Sequence, residues 1–221
     1  MAKITKIEAQ KNKKRVNIYL DGKFAFGLDA DNFLKAGLKA GQTLTQKQVD
    51  DLIFKNESQK LFDKVLRLIS HRPRSEKEIR NYLRKKIWKL EIGNWKLRES
   101  RIGTKAEMVD RVIKALKKQR LVDDEAFALW WVDQRSTFRP RGKFGLTMEL
   151  RQKGIDKAII EKVVDEKVDE LPLANKLAQK KFKTYKNLPR KEFYQKMSAY
   201  LARRGFSWET IKKVVAKFLD K

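Results

Sequence analysis

The chain has 221 residues, of which 41% are hydrophobic and 37% charged, so it can bury a core beneath a polar surface. Its 54 lysines and arginines against 28 acidic residues give a net charge of +26, which predicts attraction to polyanions. The longest apolar run, residues 126–132, is too short to cross a membrane, "MAKITKIEAQ" predicts no secretory signal, and zero cysteines exclude disulfides and thiolate metal sites. We therefore expect a cytoplasmic protein with no cofactor and no metal.

The first 55 residues predict a small β-rich domain. "ITKIEAQ" and "VNIYLDGKFAFGL" have the alternation of strands, and Asp21-Gly22 between them is a strong hairpin signal. "NFLKAGL" predicts a short helix that ends at Gly37, and "TQKQVDDLI" leads into the rest of the chain.

A repeated stretch begins further along. "RPRSEKEIRNYLRKK" at 72–86 returns 67 positions later as "RPRGKFGLTMELRQK" at 139–153. Ser75 with Glu78 predicts a capping box at the start of the first copy.

The end of the second copy, "QKGID" at 152–156, returns as "RRGFS" at 203–207. Gly154 and Gly205 suit the left-handed position that ends a helix, while Asp156 and Ser207 suit the cap of the next helix. The flanking apolar residues have the spacing of a hydrophobic staple, in the pairs Ile155 with Ile160 and Phe206 with Ile211.

These junctions divide the chain into three-helix modules. We expect helical repeats at 56–122, 123–172 and 173–221, after the domain at 1–55. Residues 124–172 and 173–221 are 49 residues each. The first repeat reaches a similar length without an insertion at 87–104, which is either a short hairpin or an irregular loop. The predicted fold class is mainly α, with tandem three-helix repeats in a curved array that follows a small β-containing domain. Stacking lets each module cover its neighbour's apolar face.

The positive charge is concentrated in two of the repeats. The net charge is +12 over residues 56–122, −2 over 123–172 and +11 over 173–221. The basic residues near helix entrances and exits in all three repeats are the candidate contacts to a polyanionic partner. They are Arg72, Arg74, Arg84, Arg139, Arg141, Lys143, Arg151, Lys153, Lys180, Lys183, Arg190, Arg203 and Arg204.

Other readings of single residues stay open. The prolines of the two Arg-Pro-Arg stretches could simply preset the loop and leave the arginines solvated. Asp123 and Asp124 are expected to be helix caps rather than a catalytic pair. Trp130 and Trp131 could stack on bases, but we expect at least one of them in the core, and Trp95 is the better exposed candidate.

The chain has no phosphate-binding loop, no dinucleotide-binding turn and no catalytic histidine arrangement, so we do not expect an enzyme.

Three of these stretches together resemble the RecX regulatory family. "HRPRSEKEIRNYLRKK", "LVDDEAFALWWVDQR" and "ELRQKGIDKAIIEKVV" are similar to successive family motifs in the same order, and the resemblance covers residues 57–221. Longer forms with an extra amino-terminal domain are similar to the whole chain. Two departures stand out: Lys85-Lys86-Ile87 replaces the Lys-Gly junction, and Leu188-Pro189-Arg190 replaces Arg-Pro-Arg.

The resemblance implies a protein that binds the RecA filament on single-stranded DNA, lies along its groove, and mainly inhibits filament growth and strand exchange. It implies a role in recombination and DNA repair, and we expect a monomer. The alternative is a helical repeat protein that binds nucleic acid directly through its basic surface. An RNA-binding protein is a third possibility, although no recognisable RNA module speaks for it.

Overall fold

The structure is a computed structural model that describes residues 1–11, 14–88 and 105–219. The chain divides into two compact units, one of Met1–Arg72 with Ile79–Leu121 and one of Pro73–Glu78 with Val122–Lys221. We call them the amino-terminal and the carboxy-terminal unit. The predicted mainly α class, with three-helix repeats after a β-containing domain, is confirmed. None of the helices in the described ranges combines the length and the apolar character that a membrane span requires.

The amino-terminal unit begins with a four-stranded antiparallel sheet of order β3-β2-β1-β4. The strands are β1 (Ala2–Ala9), β2 (Arg15–Leu20), β3 (Lys23–Asp29) and β4 (Thr43–Leu44). The predicted hairpin turn at Asp21-Gly22 joins β2 to β3, and both turn residues have positive φ, as this tight turn requires.

One face of the sheet carries the core of this domain. Ile4, Ile18 and Leu28 are fully buried on it, and Val49 and Ile53 of the helix α2 belong to the same cluster. The short predicted helix is α1 (Ala30–Ala36), which ends at Gly37 as expected.

Helix α2 (Gln46–His71) runs through the predicted boundary at 55/56 without interruption. Its buried Asn56 accepts a hydrogen bond from the Asp29 backbone N–H at 3.0 Å and donates one to the Gly27 carbonyl at 3.1 Å. This side chain therefore attaches the middle of α2 to the end of β3. The bounds of the four predicted domains stay a prediction.

The first repeat consists of α2, α3 (Glu76–Trp88) and α4 (Lys105–Lys118). Helix α4 buries an apolar stripe at Val109, Val112, Ile113 and Leu116. Residues 89–104, which hold most of the expected insertion and Trp95, lie outside the described residues.

The second and third repeats form the rest of the carboxy-terminal unit. Their helices are α5 (Asp124–Phe138), α6 (Lys143–Gln152), α7 (Lys157–Lys167), α8 (Glu170–Tyr185), α9 (Arg190–Ala202) and α10 (Trp208–Leu219). Each repeat has its own buried cluster, one around Phe127, Leu146 and Ile160, and the other around Phe193 and Ile211.

Both predicted junctions are confirmed. Gly154 and Gly205 have φ of 81° and 77°, in the left-handed region that side chains rarely adopt. The Asp156 carboxylate accepts a hydrogen bond from the Ala158 backbone N–H at 2.8 Å, and the Ser207 hydroxyl accepts one from Thr210 at 3.3 Å. The four staple residues are buried.

Candidate functional site: module joints and exposed cations

The first joint lies where α3 begins, against the end of α6. The Ser75 hydroxyl accepts a hydrogen bond from the Glu78 backbone N–H at 3.2 Å and donates one to the Lys153 carbonyl at 2.8 Å. The Glu76 backbone N–H donates to a carboxylate oxygen of Asp124 at 2.8 Å. The second repeat thus satisfies backbone and side-chain groups at the start of a first-repeat helix.

The side chain of Lys153 reinforces this joint. Its ammonium lies 2.6 Å from a carboxylate oxygen of Glu78 and 4.8 Å from the ring centroid of Trp131. Both residues are less than a third exposed, so this ion pair is better shielded from solvent than a typical surface pair.

The second joint lies where α6 begins, against the end of α9. The Gly142 backbone N–H donates to the Arg204 carbonyl at 3.0 Å, and the Lys143 backbone N–H donates to Glu170 at 2.7 Å. The two backbones touch directly, because a Cβ atom at Gly142 would overlap the carbonyl oxygen of Gly205.

The two joints are equivalent position by position. In the register of the repeated stretch, Ser75 corresponds to Gly142, and Lys153-Gly154 corresponds to Arg204-Gly205. In each joint, the helix that follows Arg-Pro-Arg starts on the glycine-ended helix of the next repeat, and the acidic first residue of another helix, α5 or α8, accepts a hydrogen bond from its first turn. The duplicated sequence therefore builds the contact between neighbouring repeats.

Glu170 is the most heavily hydrogen-bonded carboxylate of the second joint. It accepts from Lys143, from the Ser207 backbone N–H at 3.1 Å and from the hydroxyls of Ser207 at 2.5 Å and Thr210 at 2.9 Å. Burial would raise the pKa of Glu170, but these hydrogen bonds together outweigh it and hold the pKa below its ordinary value.

The aromatic pair Trp130 and Trp131 packs against the core of the second repeat, as expected for at least one of them. The indole N–H of Trp131 donates to Glu149 at 2.8 Å, and the Arg135 guanidinium lies 4.5 Å from its ring centroid. Trp131 is therefore engaged within the repeat.

Comparison with known proteins gives matches along most of the chain. Models of the RecX regulatory protein match residues 2–45 (N-terminal domain), 62–91, 123–164 and 169–215 (first, second and third three-helix domains). The regulatory protein RecX of Limosilactobacillus reuteri is 35% identical over 220 residues, which cover 97% of this chain and 77% of that protein. The chain belongs to the RecX regulatory protein family.

Further RecX proteins agree with this assignment. RecX of Clostridioides difficile is 30% identical, with coverage of 100% of this chain and 97% of its own length. A crystal structure of a regulatory protein RecX is 32% identical and superposes with a TM-score of 0.70 over 97% of this chain and 98% of that chain. RecX from Lactobacillus salivarius has the same fold, with a TM-score of 0.59 at 21% identity over 74% of this chain and 97% of its own. A regulatory role follows for this chain.

Within this chain, four candidate cations are engaged in internal contacts. Lys153 has the partners described above, and Arg74 lies 4.0 Å from a carboxylate oxygen of Glu78. Arg141 pairs with Glu149 at 2.6 Å, and Lys143 pairs with Asp165 at 2.9 Å. These residues stabilise the repeats and their joints.

Other candidates face solvent. Six exposed side chains have no hydrogen-bond or ion-pair partner within 1–11, 14–88 and 105–219: Arg84, Arg139, Arg151, Lys180, Lys183 and Arg203. Arg190 is exposed at the start of α9, Arg72 is half-buried after α2, and the Arg204 guanidinium lies 4.1 Å from the ring centroid of Tyr200. The thirteen candidates are distributed over three repeats.

Sequence reasoning missed the acidic residues of the joints. Asp123 caps α5 as predicted, and Asp124 accepts a hydrogen bond from the Glu76 backbone N–H at the start of α3. Glu170 drew no attention, because an acid in the first turn of a helix is ordinary. The sequence did contain a signal. In both Asp123-Asp124 and Asp169-Glu170, a second acid follows an aspartate that by itself can cap the helix.

Proposed function

We propose that this chain binds the RecA filament on single-stranded DNA and inhibits filament growth, ATP hydrolysis and strand exchange. The family motifs imply RecA as the partner. The structural support is that Arg84 and Arg151 occupy equivalent positions in two repeats, and both are exposed without a partner among the described residues. Cations repeated in this way are suited to a periodic polyanionic assembly.

The third repeat supports the same function. It has 14 basic and three acidic residues, and its exposed Lys180 and Lys183 lie on one helix, α8. We infer that the two basic repeats contact the filament at separate points and that the near-neutral second repeat lies against protein, where excess charge would be costly to desolvate.

We also propose that the chain acts in the cytoplasm as a monomer, and through binding rather than through a reaction of its own. Its place would be in the control of homologous recombination and DNA repair, including the SOS response.

The decisive experiment is the rate of ATP hydrolysis by RecA on single-stranded DNA as the chain is added. We expect the rate to fall with increasing protein, most strongly when the chain is present before filaments grow. An unchanged rate at saturating protein would refute the proposal. As a control, excess free single-stranded DNA should not restore the rate if the filament is the target.

The second candidate function is direct binding to nucleic acid, which the exposed Lys180 and Lys183 of α8 favour. Affinity for naked single-stranded DNA would then fall steeply with salt, with a slope of roughly −0.7 per neutralised phosphate. Binding to the filament should depend less on salt, because protein contacts contribute to it. Rescue of ATP hydrolysis by free DNA would favour this second function.

A further inference from the structure

The sheet of the amino-terminal unit has one face that no described helix covers. Ile4, Ile18 and Leu28 point to the side that packs on α1 and α2. The opposite side carries Lys6, Glu8, Asn17, Tyr19 and Phe24, and we call these five residues the outer sheet face.

Two aromatic rings lie together on the outer sheet face. Phe24 is 60% exposed, and its ring centroid lies 5.9 Å from that of Tyr19, with an interplanar angle of 77°. They are cross-strand neighbours in adjacent strands, so the pairing of β2 with β3 fixes their separation. An edge-to-face pair of this kind leaves ring surface open to a further planar group.

The polar groups around the rings are cations and amides. The Lys6 ammonium lies 5.5 Å from the Tyr19 ring centroid and 3.2 Å from a carboxylate oxygen of Glu8, which also accepts a hydrogen bond from the Tyr19 hydroxyl at 3.1 Å. The one carboxylate of the outer sheet face is thus occupied by its own neighbours. Beside it, the Asn17 amide oxygen accepts a hydrogen bond from Gln10 at 2.8 Å.

The far end of the face is basic. Arg15 donates to the Gly27 carbonyl at 3.3 Å, and its guanidinium lies 3.2 Å from the position that a Cβ atom at Gly27 would occupy. Residues 1–29 contain seven basic and three acidic residues. Of the acids other than Glu8, Asp21 accepts from the Lys3 backbone and Asp29 caps α1, so both are engaged in local structure.

We propose that the outer sheet face binds single-stranded nucleic acid, with bases stacked on Phe24 and Tyr19 and with Lys6 and Arg15 near the phosphates. Exposed aromatics on adjacent strands of an antiparallel sheet bind unpaired bases in this way, because every base offers a flat face. The amides of Asn17 and Gln10 can meet base edges. This inference does not depend on RecA, and it assigns a role to the domain that precedes the repeats.

The chemistry of the face favours a nucleic acid over a protein partner. The core of a protein interface is depleted in charged residues, whereas here two rings lie among cations and amides. The net positive charge of the strands complements a polyanion.

The test is photo-cross-linking of the full-length chain to oligonucleotides that carry 5-iodouracil, in one DNA series and one RNA series. The reaction is run at 0.3 M NaCl, on the order of the salt that weakens purely ionic contacts. We expect cross-linked peptides that contain Tyr19 or Phe24. Equal yields with DNA and RNA would mean that the outer sheet face does not distinguish the two sugars. A higher yield with one of them would identify that nucleic acid as the physiological ligand.

Two variants sharpen the result. Phe24→Leu should reduce the cross-link at the sheet by roughly tenfold, within the range for loss of one base stack, and should leave the salt dependence of binding unchanged. Leu34→Ala, a change at another exposed apolar residue of the same domain, should leave the cross-link unchanged. Circular dichroism confirms that both variants fold.

Three results would overturn the inference. One is the absence of any cross-link within residues 15–35 while other peptides react. Another is an equal effect of Phe24→Leu and Leu34→Ala. The third is a Phe24→Leu variant that binds oligonucleotides normally but no longer inhibits RecA, since the face would then bind protein. Failure of the RecA proposal would appear separately, as unchanged ATP hydrolysis with the cross-link retained.

Discussion

Glu170 is a single side chain on which two helix starts depend. It accepts hydrogen bonds from the first turn of α6 and from Ser207 before α10, so replacing it leaves several partly buried donors without an acceptor. We expect Glu170→Gln to lower the free energy of unfolding by about 1–3 kcal/mol, since an amide accepts fewer hydrogen bonds than a carboxylate. Urea unfolding measures this. The control is Glu192→Gln, which removes an exposed carboxylate paired along its own helix and should cost far less.

The same residue predicts a pH dependence. Because the folded-state pKa of Glu170 lies below its ordinary value of 4.5, its ionised form contributes stability above that pH and loses the contribution as the pH falls through the folded-state pKa. The stability difference between the parent and Glu170→Gln should therefore be largest near neutral pH and shrink in acid. A difference that grows below pH 4.5 would contradict this assignment.

At the scale of single elements, the glycine-ended helices decide how the repeats meet. At Gly205 a side chain meets two obstacles, a left-handed φ of 77° and the backbone of Gly145. We expect Gly205→Val to destabilise the chain by about 3 kcal/mol or more in urea unfolding.

A substitution at Gly41 distinguishes the cost of the left-handed backbone from the cost of the steric overlap. Its φ is 86°, but nothing lies within 4 Å of the position that a Cβ atom would occupy. Gly41→Val should therefore show only the conformational cost, about 1–2 kcal/mol. Equal losses in the two variants would mean that the backbone contact at the second joint contributes nothing.

Elements were predictable where their signals are local. The Asp21-Gly22 hairpin, the end of α1 at Gly37 and the caps at Asp156 and Ser207 each depend on a few adjacent residues. The partners of Asp124 and Glu170 were not predictable, because they depend on which helix start lies against which helix end. The same limit explains why Arg141 was a ligand candidate and proved to pair with Glu149.

At the scale of the whole molecule, we expect bivalent attachment to the filament. A second, tethered contact raises the effective concentration, so loss of either basic repeat should weaken binding by more than its share of contacts. Because Arg74 has an internal partner, the test uses exposed residues, with Arg84→Glu plus Lys85→Glu in one variant and Lys180→Glu plus Lys183→Glu in another.

Each variant should lose most of its inhibition of RecA strand exchange, with less salt sensitivity in the binding that remains. The matched control, Lys35→Glu plus Lys47→Glu, makes the same charge change at exposed positions outside the two basic repeats and should inhibit nearly as well as the parent. If all three variants lose inhibition to the same extent, net charge alone explains binding and the bivalent model is wrong.

The uninterrupted α2 couples the sheet domain to the first repeat through helical phase. Val49 and Ile53 belong to the core under the sheet, Asn56 holds the end of β3, and Phe62 further along belongs to the first repeat. One residue inserted between Asn56 and Phe62 would rotate everything after it by about 100° and shift it by about 1.5 Å, so only one of the two cores could keep its packing. Seven inserted residues, close to two full turns, would restore the phase at a greater distance. Changes in the length of this segment should therefore be tolerated only when they add or remove approximately whole helical turns.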